Sequence, residues 1–266
     1  MLQSGIVNSA VESVLAPGSL QGVRALVTGS SRGIGAETAV YLAEAGARVA
    51  VNYRAKAPRA EKVVARIAEA GGEGIAIGAD LTDPASVAAM MGELRETWGG
   101  LDLLVLNASG GMESGMGDDY ALRLNRDAQV SVLEAALPLM VEGSRIVFVT
   151  SHQAHFIRTV PTLPEYEPVA LSKRAGEDAL RLKLDELDAR GISFVVVSGD
   201  MIEGTITATL LDRVRPGAIE ARREEAGRLF SVEEFAAEVA RAAVDPIPAD
   251  HTRYVGDISS FVAQQS

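Results

Sequence analysis

Short runs of consecutive apolar residues alternate along this chain with longer stretches whose apolar positions recur every three or four residues. "VRALVTG" (23–29) has the pattern of a buried strand, and "GAETAVYLAEAG" (35–46) follows with helical periodicity and a closing glycine. The alternation continues with "RVAVNYR" as strand, "PRAEKVVARIAEAGG" as helix, "GIAIGADLT" as strand and "PASVAAMMGELRETWGG" as helix. Next come a strand in "LDLLVLNAS", a helix over roughly 119–142 and a strand in "RIVFVTS". A helix from about Pro168 to Arg190, a strand in "ISFVVVSGD", helices within 212–240 and a last short strand in "TRYVGD" complete the series. Strands that alternate with helices predict a single-domain α/β fold, a doubly wound parallel sheet with helices on both faces. Its ligand crevice should lie beyond the carboxyl ends of the strands. The region after Ile202 is expected to form a lid over a substrate.

Composition narrows this picture. A chain of 266 residues that is 47% hydrophobic can bury one large core. The predicted boundaries are an N-terminal arm over 1–21 and the domain over 22–266. Lys and Arg total 25 against 36 Asp and Glu, a net charge of −11, which argues against nucleic acid or an anionic membrane as partner. A local basic pocket for a phosphate remains open. The absence of cysteine removes disulfides, thiolate nucleophiles and cysteine-ligated zinc, and fits a cytoplasmic protein. The first residues, "MLQSGIVNSAVESVLAPGSLQG", have neither a basic leader nor a long apolar run, so they predict neither a signal peptide nor an anchor.

Candidate chemistry begins at "TGSSRGIG" (28–35), between the first strand and the first helix. Glycines permit a tight turn there, and N–H groups at a helix N-terminus bind a diphosphate. After the second strand stand Asn52, Tyr53 and Arg54, where a carboxylate would favour a ribose 2′-hydroxyl. Arg54 and Arg32 suit a 2′-phosphate instead, so NADPH is expected over NADH. Asp80 in "GADLTD" and Asn107 in "LNASGG" follow the third and fourth strands, as crevice contacts or as turn residues.

Together with Asn125 in "RLNRDA", Ser151 in "IVFVTS", Lys173 in "ALSKRAGED" and "VVVSGDMIEG", these motifs resemble the short-chain dehydrogenase/reductase superfamily, in order over residues 22–258. The resemblance implies a Rossmann-type sheet. It places the cofactor on Gly29, Ser31, Arg32, Gly33, Ile34 and Gly35 in the first turn. Further contacts are Asn52, Tyr53 and Arg54, Asp80 and Leu81, Asn107, Ala108 and Ser109, then Lys173 and Ile202. It also implies a small-molecule substrate and a homo-oligomer, a dimer or tetramer.

The family's proton donor is a tyrosine four residues before the lysine, and here that position is Val169. A valine cannot donate a proton. Tyr166, with six residues between it and Lys173, resembles instead the NADPH-dependent branch that reduces enoyl thioesters, where the tyrosine stabilises an enolate oxygen. The resemblance therefore implies Tyr166, Lys173, Ser151 and Asn125 as catalytic residues. Pro168 disfavours helical angles at Glu167 and predicts a helix that starts at Pro168, leaving Tyr166 just outside it. "HQAHFIRTVPTLPE" (152–165) is longer than its counterpart in those reductases and brings His152 and His155 near the crevice as a second source of a proton. Two histidines three apart lack an obvious third metal ligand, so no metal site is expected. Two rivals stay open: a carbonyl reductase of a specialised metabolite, and a non-catalytic NADPH-binding or sensor protein. Asp200 and Glu203 are either substrate contacts or helix caps.

Overall fold

The computed structural model describes residues 13–113, 115–117 and 119–262. Its seven strands form one parallel sheet in the order β3-β2-β1-β4-β5-β6-β7. The first half of the chain runs outward from the centre: β1 (Arg24–Val27), α1 (Gly33–Glu44), β2 (Arg48–Tyr53), α2 (Ala57–Glu69), β3 (Glu73–Gly78) and α3 (Pro84–Trp98). The chain then returns to β4 (Leu103–Leu106), pairs it with the other edge of β1 and proceeds in the opposite direction. That reversal opens a crevice above the carboxyl ends of β1 and β4, where neighbouring loops diverge.

The second half consists of α4 (Tyr120–Leu122), a π-helical turn (Arg123–Asp127), α5 (Ala128–Ala136), β5 (Arg145–Ser151), α6 (His152–His155), α7 (Glu167–Arg181), α8 (Leu184–Ala189) and β6 (Ser193–Gly199). It continues through α9 (Ile206–Val214), α10 (Ala218–Ala226), α11 (Val232–Arg241), β7 (Thr252–Val255) and α12 (Ser259–Val262). The backbones of Ile202 and Phe230 pair in a bridge, so the excursion through α9 and α10 leaves and rejoins the sheet end at one point.

The central strands β1, β4, β5 and β6 are buried and largely apolar on both sides, as a doubly covered parallel sheet requires, while the edge strands β3 and β7 carry polar residues. Leu26, Leu104, Ile146, Phe148 and Phe194 face one core with α3 and α5. Their neighbours Val27, Val105, Val147, Val149 and Val195 face the other with α1 and α11, which is the period of two expected of strands. Leu15 and Leu20 are buried in this second core, and the Leu20 N–H donates to the Ala45 carbonyl at 2.9 Å. Residues 1–12 of the expected arm lie outside the described residues.

Two helices differ from the periodicity reading. The stretch expected as one helix over 168–190 is α7 and α8, separated at Leu182 and Lys183. No glycine or proline marks that break, and apolar spacing alone carries across it. The helix expected over 119–142 contains the π turn, which sets the Asn125 carbonyl against Gly176 of α7. A Cβ on Gly176 would lie 1.9 Å from that oxygen, so this approach admits only glycine.

Candidate active site

A cavity of about 1030 Å³ occupies the crevice. All of the expected cofactor positions line it, from Gly29 through Ile202, together with Ser151, Tyr166 and Lys173. Asn125 does not.

The first turn is held from below by neutral polar groups. Gly29 has φ 61°, and a Cβ there would lie 2.9 Å from the Ala108 Cα. A Cβ on Gly35 would lie 2.5 Å from Asn107 Nδ2, so the β1 and β4 turns pack backbone to backbone. Buried Asn52 accepts the Gly29 N–H at 3.0 Å and donates to the Ile77 and Ala79 carbonyls. Asn107 donates through Nδ2 to the Thr28 carbonyl at 2.9 Å. The amides of Asn52 and Asn107 thus brace the turn on which a cofactor would lie. No side chain caps α1, and the space where Gly33 would carry a Cβ is open. Uncapped N–H groups at the positive end of a helix, beside an open glycine, fit a diphosphate.

At the end of β2 the cavity is lined by Arg54, Lys56 and Arg59, with Arg32 opposite. Partial burial lowers the Arg32 pKa, and the nearby guanidinium groups of Arg59 and Arg54 lower it further, with Glu113 acting against them. Cations crowded this closely, with no carboxylate just after β2, fit a 2′-phosphate. Lys56 and Arg59 escaped the sequence reading because the amphipathic pattern of α2 places them on its solvent face. The available signal was electrostatic. α2 has no acidic residue in its first turn and carries Arg59 there, where the helix dipole disfavours a cation. Asp80 stays below the usual carboxylate range: burial opposes this, but hydrogen bonds from Thr82 and the charge of Arg54 prevail.

On the other side of the crevice, Ser151 ends β5 and Tyr166 precedes the first turn of α7. The two hydroxyls are 3.3 Å apart. Tyr166 and Glu167 both donate their N–H groups to the Leu163 carbonyl, a turn that carries the tyrosine into the cavity before the helix begins. The ring is 6% exposed, packed with Ala170, Leu211 and Ala218. Lys173 lies seven residues on, about 10 Å along the helix axis from the level of Tyr166. Its ammonium has no hydrogen bond or ion pair among the described residues. Val169, where the family's usual tyrosine would stand, is wall: its Cγ2 would be 3.1 Å from a Cβ on Gly111. Asn125 donates to the Gly110 carbonyl at 2.8 Å and to Ser172 Oγ at 2.9 Å. Its side chain joins the β4 loop to α7 rather than facing the cavity.

His152 requires a correction as an alternative proton source. It is fully buried outside the cavity, with Nδ1 2.8 Å from Ser198 Oγ and its ring against Phe261. Burial pulls its pKa down to about 4, so the ring is neutral and without access to substrate. His155 is engaged by Glu177 at 2.9 Å and by the Tyr254 hydroxyl at 3.1 Å. Among the described residues no group of three candidate ligands could hold a metal ion. Asp200, left open by the sequence, is the buried partner of Arg222 at 2.7 Å, while Glu203 pairs with Arg223. Gln153, which the sequence reading did not single out, lines the cavity and donates to Asp200 at 3.2 Å.

The model of the family described as short chain dehydrogenase matches residues 24–214 of this chain. The protein belongs to the short-chain dehydrogenase/reductase family. It is an NAD(P)H-dependent oxidoreductase of that type, with a Rossmann-type sheet. The 1-cyclohexenylcarbonyl-CoA reductase of Streptomyces collinus is 35% identical over 184 residues, which cover 67% of this chain and 64% of that protein. A short chain dehydrogenase of Burkholderia cenocepacia J2315, solved in complex with NADP, has a TM-score of 0.73 and 32% identity over 90% of this chain and 98% of that one. The angucycline C-6 ketoreductase LanV, solved with bound NADP, has a TM-score of 0.69 and 30% identity, covering 86% of this chain and 91% of that one. No helix among the described residues of this short-chain dehydrogenase/reductase is long and apolar enough to cross a membrane.

Proposed function

We propose that this protein is an NADPH-dependent reductase acting on the activated double bond of a small enoyl-thioester-like substrate. The observation that carries the reading is the pair of hydroxyls, Ser151 and Tyr166, 3.3 Å apart in the wall of the cavity. Bound NADPH supplies a hydride. A substrate carbonyl oxygen set against both hydroxyls accepts two hydrogen bonds, and these strengthen as negative charge gathers on that oxygen. With an enoyl thioester, a hydride from that cofactor would go to the β-carbon and the charge to the carbonyl oxygen, to which Tyr166 would donate a hydrogen bond, the α-carbon then taking a proton from solvent. Lys173 supplies a positive charge to the same cavity and a donor for a ribose hydroxyl. Arg32, Arg54 and Arg59 would hold the 2′-phosphate, and the first turn of α1 the diphosphate. The relative from Streptomyces collinus is named for reducing an unsaturated acyl thioester, which supports this choice.

A second reading has its own support. The same hydroxyl pair can polarise a ketone, and LanV is a ketoreductase. We further propose a homo-oligomer, for which the exposed Leu171 on α7 is a candidate contact.

NADPH oxidation measured with paired enoyl and β-keto thioesters and a ketone panel, in wild type and Tyr166→Phe, tests both readings. The expected result is enoyl turnover that falls by about 100-fold or more in the variant, the scale of a lost oxyanion donor. Ketone turnover with the same loss would establish the second reading. Ketone turnover unchanged by the substitution would remove Tyr166 from the chemistry.

A further inference from the structure

Arg54 differs from most other arginines of this chain in the partner that holds it. Arg24, Arg66, Arg174 and Arg222 are each engaged by carboxylates, which orient the guanidinium and cancel its charge. Arg54 instead donates through Nη1 to the Tyr120 hydroxyl at 2.6 Å, with its guanidinium carbon 5.8 Å from the centre of the tyrosine ring. A neutral hydroxyl and a ring face orient the cation without an ion pair, with the Asp80 carboxylate acting on it only through space. That combination is what an anion site requires.

The two residues come from opposite sides of the crevice. Arg54 follows β2 and is exposed, whereas Tyr120 opens α4 and is 5% exposed; both line the cavity. A free arginine on a strand end samples many rotamers, and ordering it on binding costs affinity. A fixed phenol removes part of that cost beforehand and leaves four of the five guanidinium N–H groups for a ligand. Burial raises the Tyr120 pKa, with Arg54 acting against it, so the hydroxyl remains neutral at physiological pH.

We propose that Tyr120 is a positioning residue for cofactor choice, holding Arg54 in place to receive the 2′-phosphate of NADPH. This rests on the NADPH reading above.

The test is the dissociation constants of NADPH and NADH, from quenching of protein fluorescence, for wild type, Tyr120→Phe, Arg54→Ala and the double variant. Adenosine 2′,5′-diphosphate and AMP serve as probes without the nicotinamide. Wild type should prefer NADPH, and Tyr120→Phe should weaken NADPH and the 2′-phosphorylated probe by about tenfold while NADH and AMP are unchanged. In the Arg54→Ala background the tyrosine substitution should have no further effect. Equal weakening of NADPH and NADH, an unchanged NADPH constant, or a full effect without Arg54 would each overturn the proposal and leave the cofactor reading intact. A wild type indifferent to the 2′-phosphate would overturn both. If Tyr120→Phe does not fold, Arg54→Lys is the second variant. It keeps the charge but loses the planar fork, and should lose much of the NADPH preference; full preference in Arg54→Lys would overturn the role of the held guanidinium.

Discussion

The two halves of the cavity are built with different chemistry. Around the ends of β1, β2 and β4, neutral groups do the bracing: Asn52 holds Gly29, Asn107 holds Thr28, and Tyr120 holds Arg54. Around the ends of β5 and β6, ion pairs do it: Asp200 with Arg222, and Glu177 with His155 and Arg181. The first arrangement leaves cations unneutralised where an anionic cofactor would dock. The second cancels charge except at Lys173 and leaves an apolar wall of residues such as Val160, Leu163 and Leu211 beside the reacting hydroxyls. Charge placement thus separates a phosphate site from a substrate site within one cavity.

The separation breaks most severely at Asp200. Arg222 is almost wholly buried and donates three hydrogen bonds of 2.7 to 3.0 Å to that carboxylate and one to Ser260, and it also pairs with Glu225. Asp200→Ala should lower stability by about 3–5 kcal/mol, since the buried Arg222 would lose its buried partner and keep Glu225, whose side chain is more than half exposed. Chemical denaturation measures this. NADPH affinity should fall by much less than stability, because Asp200 reaches the cofactor positions only through Met201 and Ile202 while the phosphate end is braced by Asn52, Asn107 and Tyr120; an equal loss of affinity would show the halves to be one unit.

A somewhat smaller effect belongs to pH. The His152 pKa falls from 6.5 to about 4 because burial disfavours the imidazolium, an effect that Asp200 opposes and that His155 and Arg222 reinforce. The unfolded chain therefore binds the extra proton first. Stability due to this residue is complete above pH 6.5, declines as pH falls toward 4, and declines no further below that. The total is about 3 kcal/mol. Glu177, whose carboxylate burial would raise but which His155 and Arg174 hold below its ordinary 4.5, contributes in a more acidic window. Urea midpoints at pH 7 and pH 4.5 should differ clearly in wild type and little in His152→Gln. A persistent slope in that variant would assign the acid sensitivity elsewhere.

What the sequence made legible divides along the same line. The alternation of strands and helices, the doubly wound parallel sheet and the first turn follow from local signals: apolar runs, glycine spacing and residues at strand ends; the strand order, a matter of long-range pairing, came from the structure. The Ser151–Tyr166 contact was half legible. Pro168 correctly predicted that Tyr166 stands outside α7, but the Leu163 turn that delivers its hydroxyl to Ser151 has no periodic signature. His152 misled because proximity in sequence to Ser151 says nothing about which side of the short helix α6 a ring faces. The Asp200–Arg222 pair joins residues 22 apart across the α9–α10 excursion, and no spacing rule connects them.

The gentlest break concerns Arg59. It is exposed, reaches the cavity from the first turn of α2 and has no carboxylate partner among the described residues. A solvated cation near a phosphate contributes little, so Arg59→Ala should weaken NADPH by only about two- to fivefold. NADH should be unaffected, and the difference between variant and wild type should shrink as salt rises and screens the pair. Titrations of both cofactors at low and high ionic strength decide this. A loss that resists salt would mean that Arg59 is desolvated when the cofactor binds, and that the cofactor half closes over its phosphate rather than leaving it in water.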